Sequence, residues 1–165
     1  MIRFSLIAAL IALASPVTAG EWVVAVGNSK YDFVSPHNAP FVSAEVHSEP
    51  LYQKNNFSTR VMGVASIHSG GTTFVGIGLS ARLELKNDWF AEASVAPGYY
   101  NASGPKTELG SNFEIRSLLG VGRKLTNGDR LSLALAHTSN ADTATVNPGV
   151  NSLLLRYSRA FTFRN

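Results

Sequence analysis

From Thr73 to Leu85 apolar and polar side chains alternate with a period of two. Val75, Ile77, Leu79, Ala81, Leu83 and Leu85 share one face, and Gly76, Gly78, Ser80, Arg82 and Glu84 share the other. The same rhythm returns over Phe113 to Leu125, where Phe113, Ile115, Leu119, Val121 and Leu125 oppose Glu114, Arg116, Gly120, Gly122 and Lys124. In the last segment Leu153, Leu155, Tyr157, Phe161 and Phe163 stand against Ser152, Arg156, Ser158 and Thr162. Successive strand side chains point to opposite faces, so each segment predicts a strand with one apolar face and one face that carries charge.

Clusters of Gly, Pro, Asn, Asp and Ser separate these runs: Ser35-Pro36-His37-Asn38, Lys54-Asn55-Asn56, Ser69-Gly70-Gly71, Lys86-Asn87-Asp88, Ala102-Ser103-Gly104-Pro105, Thr126-Asn127-Gly128-Asp129 and Thr145-Val146-Asn147-Pro148-Gly149. These connections predict strands near Glu21 to Val34, Phe41 to Gln53, Phe57 to His68, Thr73 to Leu85, Trp89 to Tyr100, Ser111 to Leu125, Arg130 to Asn140 and Val150 to Phe163. The second and third alternate least clearly, and Pro50 interrupts the second.

Alternation alone does not say which face meets which solvent. A soluble sandwich turns its apolar face inward, and a membrane barrel turns it out toward lipid. The N-terminus bears on this. Arg3, the apolar run Phe4 to Ala14, and Ser15-Pro16-Val17-Thr18-Ala19 read as a secretory signal cleaved after Ala19, leaving one domain over residues 20–165. The apolar run is too short for a spanning helix, which needs about 20 residues. Aromatics near strand ends (Trp22, Trp89, Phe90, Tyr99, Tyr100, Tyr157, Phe161 and Phe163) suit a membrane-interface belt. The expected fold is therefore all-β: an eight-stranded antiparallel transmembrane β-barrel of the outer-membrane type. Its charged face, with Glu84, Glu92, Glu114, Arg82, Arg116 and Arg156, is expected to form ion pairs in the lumen.

The chain has no cysteine, so disulfides and thiolate metal sites are excluded. A formal charge of +3 with scattered Lys and Arg argues against nucleic acid as a partner. His37, His47 and His68 lack paired spacing and read as interfacial or loop residues rather than metal ligands. No metal or other cofactor is called for.

The candidate chemistry lies in His137-Thr138-Ser139-Asn140-Ala141, followed by Asn147-Pro148-Gly149-Val150-Asn151-Ser152. His137 and Ser139 share odd parity with Leu131, Leu133 and Leu135, so a base and a hydroxyl continue the apolar stripe and point to one side. Together with the run Phe113 to Gly122, these motifs resemble the PagL family of outer-membrane lipid A 3-O-deacylases over roughly the C-terminal third. The resemblance implies a barrel with its active site on the lipid-facing wall and a serine-esterase mechanism acting on lipid A of lipopolysaccharide. It implies His137 as general base and Ser139 as nucleophile, with Asn140 and Asn147 lining the site and Asn147 a candidate oxyanion donor. The family pattern has an acid at the position of Asn151, which would complete the triad here as an amide. Asp142 is the nearest carboxylate, but its parity and turn location speak against that role.

Two other readings stay open. One is a non-catalytic small barrel, structural or adhesive; the other is a soluble periplasmic barrel binding an apolar ligand inside. Lipid A and outer-membrane lipid are the expected partners of the leading reading, and a homodimer is left open.

Overall fold

A computed structural model describes residues 20–31 and 34–161. The signal sequence and the terminal Phe163-Arg164-Asn165 lie outside the described residues. The strands are β1 (Gly20–Tyr31), β2 (His37–His47), β3 (Tyr52–Lys54), β4 (Phe57–His68), β5 (Thr73–Glu84), β6 (Trp89–Asn101), β7 (Phe113–Lys124), β8 (Arg130–Ser139) and β9 (Val150–Phe161), with one short 3₁₀ turn at Pro105–Thr107. Each long strand pairs antiparallel with its two neighbours, β1 joining β9, and β2 joining β4, so the sheet closes into an eight-stranded barrel. Among the described residues, no helix is long and apolar enough to cross a membrane.

The short β3 explains the weak pattern of the second predicted strand. His47 pairs with Met62 and Tyr52 pairs with Thr59, which leaves extra residues between them on one side of the ladder. Ser48 N–H and Leu51 N–H still donate to Val61 O and Thr59 O. The break is a bulge at Glu49-Pro50, because proline has no N–H to give. The barrel strand also begins earlier than expected: His37 and Asn38, read as turn residues, already pair with Tyr31 and Lys30. Of the first predicted strand, Gly20–Tyr31 is described as strand, Asp32 and Phe33 lie outside the described residues, and Val34 is no longer strand.

The alternation resolves in the membrane sense. Leu119, Leu131, Leu133, Leu135, Leu153 and Leu155 are exposed on the outer wall, while Glu21, Glu45, Arg82, Arg116 and Arg156 are buried in the lumen. Arg82 forms a two-pronged pair with Glu21 at 2.7 and 2.9 Å. Glu45 is held by Arg156 at 2.8 Å, His47 at 3.0 Å and Arg116 at 3.2 Å, tying β2, β7 and β9 across the interior. Glu84 pairs with Arg130 at 3.0 Å. Glu114 departs from the expected ion pairing: it is fully buried and meets Ser111 Oγ at 3.3 Å, with no cationic partner among the described residues.

At the loop end, Tyr31, Phe74, Tyr100, Leu109 and Val150 pack into an apolar plug. Phe90 and Tyr100, expected in the interfacial belt, instead point inward, because they have the parity of the lumen face. His47 and His68 are likewise lumen residues; His68 Nε2 lies 3.0 Å from Ser29 Oγ. Two voids among the described lumen residues measure about 10 and 20 Å³, too small for an apolar ligand. With its leucines outside and its charges inside, the barrel cannot be the soluble ligand carrier considered above.

Replacing Leu133 by Arg places a charge in lipid and is expected to cost about 2–4 kcal/mol if the residue lies near the bilayer midplane. Ala134→Ser, on the lumen side, should fold as the wild type does. Heat-modifiable gel migration after refolding into vesicles reads both, and equal tolerance would contradict the lipid-facing assignment.

Candidate active site

β8 and β9 carry the candidate residues. Antiparallel register sets His137 directly opposite Asn151, and both side chains are exposed on the outer wall. His137 Nδ1 lies 2.9 Å from Asn151 Oδ1. An amide oxygen can only accept, so this contact places the proton on Nδ1 and leaves Nε2 as the unprotonated nitrogen of the neutral ring. Ser139 is on the same face, about 6.6 Å along the strand by the ordinary rise per residue, and no hydrogen bond joins its hydroxyl to His137. Ser139 is partly covered, opposite Ile115 of β7.

The connection after Ser139 is built from its own polar side chains. Ala141 and Asp142 both adopt left-handed φ values, 52° and 60°, and Thr143 N–H closes the turn on Asn140 O at 3.1 Å. Two consecutive residues with positive φ make a type I′ turn, which normally asks for Asn-Gly. An alanine there is strained, and the surroundings hold it. Asn147 Oδ1 accepts from Asn140 N–H at 3.1 Å, and Asn147 Nδ2 donates to Asp142 Oδ1 at 2.8 Å.

Asn140 does not line the outer wall. It is 0% exposed on the opposite face from the dyad, and its Nδ2 donates both protons, to Val146 O at 2.8 Å and Leu109 O at 3.0 Å. Its contact with Leu109 joins the β8–β9 connection to the β6–β7 loop. Gly110 permits the close approach: its φ is +94°, and a Cβ there would lie 1.9 Å from Val146 O. Asn147 is half-buried beside the turn and keeps one amide proton beyond the one given to Asp142.

One residue of the site carries no functional side chain and was not singled out by sequence reasoning. Gly149, at φ +64°, sits against the histidine: a Cβ added there would meet His137 Cε1 at 2.8 Å and Nε2 at 3.2 Å. A glycine keeps the free ring nitrogen uncovered. The Asn-Pro-Gly string gave the signal, but as a turn. The dyad lies outside an apolar groove of about 820 Å³ on the outer wall, where Ala44 and Ala65 sit low among Val24, Val26, Val42 and Ile67. That groove is lined mainly by apolar side chains and belongs to the lipid-facing surface.

Comparison with known proteins gives a consistent result. The model of the family described as lipid A 3-O-deacylase (PagL) matches residues 28–160. Among solved structures, the outer membrane enzyme PagL aligns with a TM-score of 0.68 at 19% identity, over 84% of this chain and 97% of its own. Neisserial surface protein A aligns with a TM-score of 0.53 at 14% identity, over 88% and 96% of the two chains. A de novo designed transmembrane β-barrel gives 0.55 at 12% identity, over 89% and 98%. No curated protein matches the chain in sequence.

Truncating Asn140 tests the architecture beneath the dyad. Asn140→Ala strips two buried carbonyls of their donor, a loss of about 1–3 kcal/mol. Residues 140–149 should then exchange amide protons and yield to protease faster, while the barrel keeps its heat-modifiable migration. Unchanged protection would mean that the turn holds without this residue.

Proposed function

On the premise that the chain belongs to the PagL family of lipid A 3-O-deacylases, we propose that it is an outer-membrane serine esterase that releases the 3-O-linked hydroxyacyl chain from lipid A. The observation that carries this reading is the 2.9 Å contact of His137 Nδ1 with Asn151 Oδ1 on the lipid-facing wall, two residues from Ser139. An ester bond in a lipid sits where headgroup meets acyl chain. The dyad stands at the matching height, directly above Leu133, Leu135, Leu153 and Leu155, where the apolar wall gives way to polar side chains. The apolar chains of the substrate lie against leucine while the ester reaches serine.

In the proposed reaction Ser139 Oγ attacks the ester carbonyl carbon as its proton moves to His137 Nε2. The tetrahedral intermediate collapses, the bond from the acyl carbon to the sugar oxygen breaks, and the proton passes from His137 to that oxygen. Water, deprotonated by the same nitrogen, then cleaves the acyl-serine and frees the fatty acid. Asn147 offers its remaining amide proton to the oxyanion, and Asn151 holds the ring. Asn140 acts by positioning the turn rather than by touching substrate. The chain reaches the membrane through its N-terminal signal, with cleavage after Ala19.

Ser139→Ala and His137→Asn should each abolish most release of 3-hydroxy fatty acid from purified lipopolysaccharide. The double variant should be little worse than either, because the two groups act as a unit. A Ser139→Ala barrel with near wild-type activity would exclude the mechanism. A folded wild-type barrel that releases no fatty acid would leave the structural or adhesive reading.

Asn151 lacks the charge that an acid would set against the imidazolium. Replacing the acid of a triad by its amide can cost about 10⁴ in rate where the wrong tautomer results; here the contact geometry favours the tautomer a base needs. Asn151→Glu should therefore fold and raise the rate of acyl release, the added charge stabilising the imidazolium, in assays run across pH. Asn151→Ala should be slower than wild type. An Asn151→Glu variant no faster at any pH, beside an Asn151→Ala variant as active as the wild type, would remove Asn151 from the site.

A further inference from the structure

His137 and Asn151 belong to a longer row. Register places Ser117 of β7 opposite His137, Asn151 opposite Lys30 of β1, and Lys30 opposite Asn38 of β2. Ser117, His137, Asn151, Lys30 and Asn38 thus form one line across the outer wall, all five exposed. The next row toward the opposite end brings Leu119, Leu135, Leu153, Asn28 and Pro40, and the one after it Val121, Leu133, Leu155, Val26 and Val42. The polar row is a shelf above an apolar wall.

Lys30 is the charged member of that shelf. Among the described strand residues, the outward-facing charges are Lys30, Lys54, Arg123 and Arg159, and Lys54 lies with the arginines, beside Phe57 at the turn end. The two arginines lie at the other end of the barrel, where Arg123 stacks over Trp89 at 5.7 Å and Arg159 meets Asp129 at 3.6 Å. The side chain of Lys30 makes no hydrogen bond, ion pair or ring contact with any described residue. It stands two strand spacings from His137, about 10 Å. Its flexible stem lets the ammonium reach the headgroup plane while the methylenes lie along the wall. A cation on the loop side, unpaired in the protein and in register with the dyad, is placed for an anion that arrives with the substrate.

We propose that Lys30 binds a phosphate of the lipid A headgroup and so sets the distance between that phosphate and the ester presented to Ser139. The inference rests on the esterase reading and adds a recognition element to it. The ligand chemistry is a phosphate ester at the membrane surface, which a neighbouring phospholipid could also supply. The assay must therefore separate these sources.

Turnover of bisphosphorylated and of dephosphorylated lipid A is compared in neutral detergent micelles, with phosphatidylglycerol added in a separate arm. Wild type should favour the phosphorylated substrate about tenfold in kcat/KM, through KM, the size of one partly screened charge-assisted hydrogen bond. Lys30→Gln should bring that ratio close to one. Lys30→Arg should keep most of the preference, and Lys86→Gln, in the β5–β6 turn at the other end, should keep all of it. Equal losses on both substrates, or an unchanged ratio in Lys30→Gln, would overturn the proposal while leaving the esterase intact. If phosphatidylglycerol abolishes the wild-type preference while turnover of the dephosphorylated substrate is unchanged, the lysine serves bulk lipid and the proposal also fails. Should no substrate turn over, the same ratio is read as equilibrium binding by the Ser139→Ala barrel. A Lys30-dependent preference would then uphold recognition without the esterase, and its absence would refute both.

Discussion

Hydrocarbon offers no hydrogen-bond partner to a backbone, and every other feature of this protein follows from that constraint. A sheet can satisfy it only by closing. Here closure is completed where β2 meets β4, despite a proline that breaks the strand just beyond. The bulge at Glu49-Pro50 falls at the turn end, outside the run of ladder from Phe41 to His47. The interruption is tolerated where it does least harm to the wall.

Closure also decides the inside. A narrow lumen must be filled, and its lining is the face that alternation left polar. Buried charges are expensive unless they are paired and hydrogen-bonded. Glu45 shows how this is met: one carboxylate engages Arg116, Arg156 and His47, so three strands are referenced to a single point. The interior is filled by these groups and the mouth is plugged by Leu109 and its aromatic neighbours, which leaves the outer wall as the face open to lipid.

A site on a lipid-facing wall has unusual demands. It needs polar groups at the edge of an apolar surface, and it needs them rigid without a cleft around them. Cross-strand register supplies the first, by setting Asn151 beside His137. The strained turn after Ser139 supplies the second, pinned by Asn140 from below and Asn147 from the side. The amide at Asn151 removes a negative charge from a row that carries an unpaired lysine, so the electrostatics of the shelf are more positive than an acid would leave them.

The barrel was legible in the sequence because period-two alternation is a local property and survives in every long strand from Thr73 onward. The outward direction of His137 and Ser139 was legible for the same reason: parity with Leu131, Leu133 and Leu135 is fixed by the chain itself. So was the position of Asn151 across a short connection. Other features depended on which residues the closed sheet brings together. Phe90 and Tyr100 carry the lumen parity of their strand, against the interfacial belt expected of them, whereas the phase of His47 and His68 was obscured in the two strands that alternate least clearly. Nothing local marked Asn140 as a buried clamp on Leu109, a contact spanning 31 residues. Gly149 against the imidazole and Lys30 beside Asn151 likewise arise only from register between strands distant in sequence. Alternation determines which way a side chain points, and only the tertiary structure decides what it meets there.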